Sequence, residues 1–138
     1  MNLQIGLTPV IIADEIEWTD TAMLEAERKA LASALEDWRA DWESRDTEKY
    51  LAHYAARFSG GGQDLAAWSA HKRKVNAAKR WIKVGVSRLS MFRYPRENFI
   101  EVSFDQDYRS SNLSNAMHKR QYWIHEDGRW RILYEGGE

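Results

Sequence analysis

Four histidines, His53, His71, His118 and His125, are the side chains of this sequence best suited to move a proton near neutral pH. No two of them stand at i and i+4, the spacing that sets metal ligands on one helix face, so no metal site is expected. The chain has no cysteine, which removes thiol nucleophiles, thiolate ligands and disulfides together. No serine sits in a Gly-x-Ser-x-Gly elbow. The Gly60-Gly61-Gly62 triplet follows no strand pattern and precedes no Lys-Ser/Thr pair, so it reads as a flexible connection between helices and not as a phosphate cradle. No cofactor is expected.

What chemistry remains is proton transfer beside a carbonyl, as in isomerases and dehydratases, where a carboxylate or histidine works inside an apolar cavity. That needs an inward acid or base. In the run from Ile100 to Tyr108, the residues Ile100, Val102, Phe104, Gln106 and Tyr108 alternate with Glu101, Ser103, Asp105 and Asp107, which turns the carboxylates outward. Asp37 and Asp41 flank the Trp38 and Trp42 stripe without joining it. His118 shares a strand phase with Tyr122 and Ile124 and is the candidate inward base; its bland reading is a strand-end histidine. Arg120 lies in the same phase and, once buried, needs an anion: a helix carboxylate such as Asp41 or Glu43, or a bound carboxylate. The aromatic residues Trp38, Trp42, Tyr54, Trp68, Tyr108 and Trp130 would fill or line the cavity; a chain with 7 Trp and 6 Tyr has more large rings than its size requires. On the opposite phase, Met117, Trp123 and Leu133 leave an apolar patch on the outer face, which predicts a homodimer.

The elements that would position these side chains follow from periodicity. Residues 1–20 read as an extended lead-in, β-branched and apolar from Pro9 and acidic towards Trp18, and residues 21–138 as one domain. From Thr21, Leu24, Leu31, Leu35, Trp38 and Trp42 recur at helical spacing, which predicts a long amphipathic helix capped by Asp20 or Thr21. The seam is too short and ends in rings too bulky for a two-helix coiled coil. Asp46 caps a short second helix through Tyr54, and Asp64 a third with Leu65, Trp68 and Val75 on one face and the basic run His71 to Lys74 in solvent. Four strands follow. In the first, the apolar phase slips between Val86 and Leu89, the signature of a β-bulge. Pro95 to Asn98 turns the chain, and Asp127-Gly128 makes a tight hairpin before Trp130. The expected fold is therefore α+β, three helices packed on a curved, bulged, four-stranded antiparallel sheet.

Composition limits the partners. Hydrophobic residues at 43% and charged residues at 30% indicate a globular chain, and a net charge of −1 provides no field to attract nucleic acid. Met1 to Ala13 carries no Lys or Arg, and its apolar run is broken by Pro9, so neither a signal peptide nor membrane insertion is expected.

The run from Trp38 to Tyr54, Phe104-Asp105-Gln106-Asp107-Tyr108-Arg109-Ser110, Lys119-Arg120-Gln121-Tyr122-Trp123 and Gly128-Arg129-Trp130-Arg131-Ile132 together carry a resemblance. The chain resembles, from about Glu25 to Glu135, the nuclear-transport-factor-2-like (NTF2-like) cone domain found C-terminal to the catalytic domain in one branch of bacterial L,D-transpeptidases and cell-shape-determining peptidoglycan peptidases. The Phe104 to Ser110 run is the more specific pointer to that branch; the Gly128 to Ile132 hairpin is common to the superfamily.

The resemblance implies a non-catalytic accessory or dimerisation domain that works with a transpeptidase-like partner in the periplasm or cell envelope, its cone offered to a peptidoglycan fragment. The lead-in from Leu7 to Trp18 looks like the junction that would follow such a catalytic domain. Catalysis in that family needs a cysteine, and this chain has none. The alternative is a stand-alone isomerase, dehydratase or ligand-binding protein using the same cone.

Overall fold

A computed structural model of the chain describes residues 7–12, 15–94 and 96–137, with side chains from Glu25 onward. Leu24 as a core residue and Pro95 as a turn residue lie outside the described set.

Strands β1 (Leu7–Ile12) and β2 (Glu15–Asp20) form an antiparallel hairpin of their own, and β1 lies alongside the edge strand of the main sheet, Ile82–Tyr94. The extended lead-in thus contains a paired ribbon. Helix α1 (Thr21–Ser44) starts at the expected residue. Leu31, Leu35, Trp38 and Trp42 are buried along one stripe, as the spacing requires. Arg39 ties the helix to the sheet: it bonds Glu36 and Glu43, and its Nη1 donates to the Val84 carbonyl at 3.2 Å. Glu43 Oε2 accepts from the Val84 N–H at 2.8 Å.

Helix α2 (Thr47–Leu51) is capped by Asp46, which accepts from the Lys49 N–H. It ends before Tyr54, which instead begins β3 (Tyr54–Gly60). The reason is a distant partner: the Ile132 N–H donates to the His53 carbonyl at 2.7 Å, and β3 runs parallel to β8, the last strand (Arg129–Gly137). Gly61 and Gly62, both at positive φ, turn β3 into β4 (Gln63–Asp64), so the glycine triplet joins two strands and not two helices. Asp64 then caps α3 (Leu65–Ala77), accepting from the Ala67 N–H at 2.9 Å.

The remaining strands are β5 (Ile82–Tyr94), β6 (Phe99–Ser110) and β7 (Ser114–Glu126), and the main sheet has the order β4-β3-β8-β7-β6-β5. It is six-stranded and mixed, with the expected four antiparallel strands as one side of it. The predicted bulge is present: the β5–β6 register skips between Ser87 and Ser90, and Arg88 takes φ 55°. Leu89 consequently points to solvent. A second skip between β7 and β8 leaves Leu133 as an extra residue opposite Tyr122 and Trp123. Asp127 and Gly128, at φ 52° and 77°, form the expected tight turn. The curved sheet closes over α1 and buries Trp38, Tyr50, Phe58, Phe104, Trp123 and Ile132 in one core.

Candidate functional site

The centre of that core is polar. Glu135 on β8 is only 3% exposed, and its carboxylate is fully engaged. Lys119 Nζ on β7 donates to Oε2 at 2.8 Å, and Gln121 Nε2 donates to Oε1 at 2.9 Å. The Tyr54 hydroxyl donates to Oε1 at 2.8 Å, while the Trp38 indole N–H donates to Tyr54 at 3.1 Å. The Tyr50 hydroxyl lies 3.0 Å from that of Tyr54, and Trp123 Nε1 donates to Gln121 Oε1 at 2.9 Å. Burial raises the Glu135 carboxyl, but the charges of Lys119 and Lys72 and the bonds from Lys119 and Gln121 outweigh it and hold the group below its ordinary value. Burial, and then the charge of Glu135, push the Tyr50 and Tyr54 hydroxyls well above theirs.

A cleft of about 170 Å³ opens from this network between the end of α1, α3, the end of β6 and the start of β7. Trp42 and Tyr108 stack on each other in its wall, 5.1 Å between ring centroids. Lys119 sits at its base, 5.1 Å from the Trp42 ring centroid. Lys72 lies over Trp68 at 4.7 Å and Trp42 at 5.6 Å; desolvation first, then Lys119 and Lys79 against the opposing pull of Glu135, lower its pKa. Lys79 reaches Asn112 and lies 5.8 Å from the Tyr108 ring. Trp42 Nε1, Asn76 Nδ2 and Gln106 Oε1 are buried in the same wall without a hydrogen-bond partner. Among the described residues, no three His, Asp or Glu side chains converge as a metal ion would need.

Residues 30–136 match the model of the Cds6 C-terminal NTF2-like domain. The chain belongs to that family. No curated protein matches it. Among solved structures, Bd1075 of Bdellovibrio bacteriovorus is 25% identical with a TM-score of 0.78, over 95% of this chain and 48% of that one. A variant of the helical cell shape determining protein Pgp2 of Campylobacter jejuni is 20% identical with a TM-score of 0.72, over 88% of this chain and 42% of that one. An NTF2-like protein of unknown function from Pseudomonas putida is 14% identical, with a TM-score of 0.69, and is covered over 87% of its length. The chain thus spans about half of the first two structures.

Within this NTF2-like domain the predicted site residues divide. Trp42 and Tyr108 line the cleft. Trp38 and Tyr54 lie beneath it in the core, and Trp68 packs on Tyr54 and Phe58. Trp130 is at the far end of the sheet, edge-on to His125 at 5.1 Å. His118, Arg120 and Tyr122 are on the opposite, outer face, which corrects the inward reading of β7. His118 Nδ1 is 2.9 Å from Asp105 Oδ1, Arg120 pairs in register with Ser103, and Tyr122 stacks between Phe99 and Tyr134. The helix carboxylates proposed for Arg120 are used elsewhere: Asp41 holds His53 Nε2 at 2.7 Å, and Glu43 holds Arg39.

The interface set is corrected with it. Trp123 is fully buried, Leu133 is the half-buried bulge residue, and Met117, 37% exposed, stands at the rim of the cleft. The cause is the ion pair: Lys119 and Gln121 turn inward to meet Glu135, and the whole strand follows their phase. Glu135, Lys119, Lys72 and Lys79 were not singled out from sequence. The available signal was Glu135 itself, which a one-residue bulge after Ile132 carries into the core.

Proposed function

We propose that this chain is a non-catalytic accessory domain of an L,D-transpeptidase-like, peptidoglycan-processing system in the periplasm or cell envelope, and that its cone cleft holds a cell-wall fragment. The family match over residues 30–136 carries the reading. Its likeness to about half of a helical cell shape determining protein supports it. The cleft chemistry agrees, since an aromatic and basic wall suits an acidic, partly apolar fragment.

Independent catalysis has little to work with. Both Glu135 oxygens accept strong bonds, and the lowered pKa makes the carboxylate a weak base. His53 and His118 are each bound to an aspartate away from the cleft. No helix among the described residues is long and apolar enough to cross a membrane.

The homodimer belongs to the same proposal, through a different set of residues. Phe92 is 49% exposed and stands in register with Glu101, and Tyr94, Phe99, Tyr122 and Tyr134 form a row of ring contacts on the outer sheet face. Sedimentation of wild type and Phe92→Lys tests it; a monomeric wild type removes the dimer.

For the function itself, muropeptides incubated with the chain alone should keep their masses. A Cys-containing L,D-transpeptidase-like enzyme should process them faster with the chain present. Turnover by the chain alone, surviving controls for contaminants, refutes the proposal.

A further inference from the structure

Three ammonium groups meet at the cleft against one carboxylate, and that carboxylate is already committed. Glu135 spends its oxygens on Lys119, Gln121 and Tyr54. Lys79 reaches only the side-chain oxygen of Asn112, a neutral acceptor. Lys72 faces the rings of Trp68 and Trp42 and has no hydrogen-bond acceptor among the described residues. A desolvated positive excess of this kind is complete only with an anion.

The neutral groups beside it narrow the choice. Trp42 Nε1 and Asn76 Nδ2 are donors without acceptors, and Gln106 Oε1 is an acceptor without a donor. Trp42, Asn76 and Gln106 are 4%, 3% and 3% exposed, so solvent does not serve them freely. Native proteins leave few such groups unpaired, and these three share one wall with the lysines. Donors and an acceptor side by side match an amide, whose carbonyl takes a donor while its N–H needs an acceptor. A bare phosphate offers no N–H to Gln106.

We infer that the cleft recognises the carboxylate end of a peptide, with the free carboxylate between Lys72, Lys79 and Lys119 and the last amide against Trp42, Asn76 and Gln106. A volume of about 170 Å³ suits an end group, being smaller than pockets that enclose whole drug-sized ligands. The Trp42 and Tyr108 rings form the apolar wall for the terminal side chain. The inference deepens the cell-wall reading and rests on it for the ligand's source; the donor and acceptor pattern stands on its own.

The test compares N-acetyl-D-alanyl-D-alanine, its C-terminal amide and inorganic phosphate, titrated into the full chain while the Trp42 indole N–H is followed by NMR. The acid should shift that signal saturably, with the amide and phosphate at least tenfold weaker. Lys72→Gln should weaken the acid at least tenfold and leave the amide unchanged, with a thermal melt to confirm folding. Lys79→Gln serves as a second variant if the first unfolds. Equal binding of acid and amide, equal binding of phosphate, or an unmoved Trp42 signal overturns the inference. If a complete muropeptide still binds in those cases, the proposed function survives; if it too fails, both fall.

Discussion

Removing Lys119 while keeping Glu135 probes the buried network most sharply. At 2.8 Å and an effective dielectric of about 20, the pair's attraction is about 6 kcal/mol. Desolvation of both ions offsets much of this, and breaking one partner of such a buried pair costs about 3–5 kcal/mol. Gln121 and Tyr54 would remain on the carboxylate, so the low half of that range is expected for Lys119→Met at neutral pH. For a domain of 138 residues the drop in Tm is then about 10–15 °C, a large share of ordinary stability. The pH dependence has a definite sign. In the wild type the folded pKa of Glu135 is lowered, so its contribution is present above the unfolded carboxylate value and is lost as pH falls through the folded one. Without Lys119 the burial penalty dominates, the pKa climbs, and acid relieves the variant by neutralising Glu135. Thermal melts by circular dichroism from pH 8 to pH 4 should show the gap between the two proteins narrowing. A gap below 3 °C at pH 7, or one that widens in acid, refutes the argument. The Lys119→Met, Glu135→Gln pair should recover much of the loss, because no buried charge is left alone.

Trp38→Ala should cost about 3–5 kcal/mol by urea denaturation, since the ring is fully buried and bonded to Tyr54. Trp123→Lys should unfold the domain instead of merely splitting a dimer, which near-UV circular dichroism separates from sedimentation. Gly60→Ala brings a methyl carbon within 2.8 Å of the Glu135 carbonyl oxygen and should cost about 1–3 kcal/mol in the same denaturation assay. Asp64→Ala removes the cap of α3 and should cost about 1 kcal/mol, seen as a lower urea midpoint with an unchanged slope.

Much of the frame is legible in the sequence where local rules suffice. The Leu31, Leu35, Trp38 and Trp42 stripe defines the buried side of α1, Asp64 marks the start of α3, and the slip after Val86 marks a bulge. The β6 alternation is equally direct, with Ile100, Val102, Phe104, Gln106 and Tyr108 all buried. Sequence reasoning failed where partners are distant. Tyr54 leaves the helical pattern because β3 pairs in parallel with β8, some eighty residues on. The phase of β7 inverts for a similar reason: Tyr122 and Ile124 make one side look like core, whereas Lys119 and Gln121 occupy the core side to satisfy Glu135. Hydrophobic alternation cannot detect a buried ion pair, because both of its members count as surface residues. The cleft lysines were hidden likewise, Lys72 within a basic run that reads as a solvated helix face.

The most direct test of the accessory-domain account is one titration of a disaccharide-tetrapeptide muropeptide into the isotope-labelled chain, read by NMR and by mass. The account predicts saturable shifts at the Trp42 indole, the end of α3 and the Gln106 to Tyr108 segment, with the muropeptide recovered at unchanged mass. Shifts confined to the outer face around Tyr122, or a muropeptide of altered mass, would contradict it.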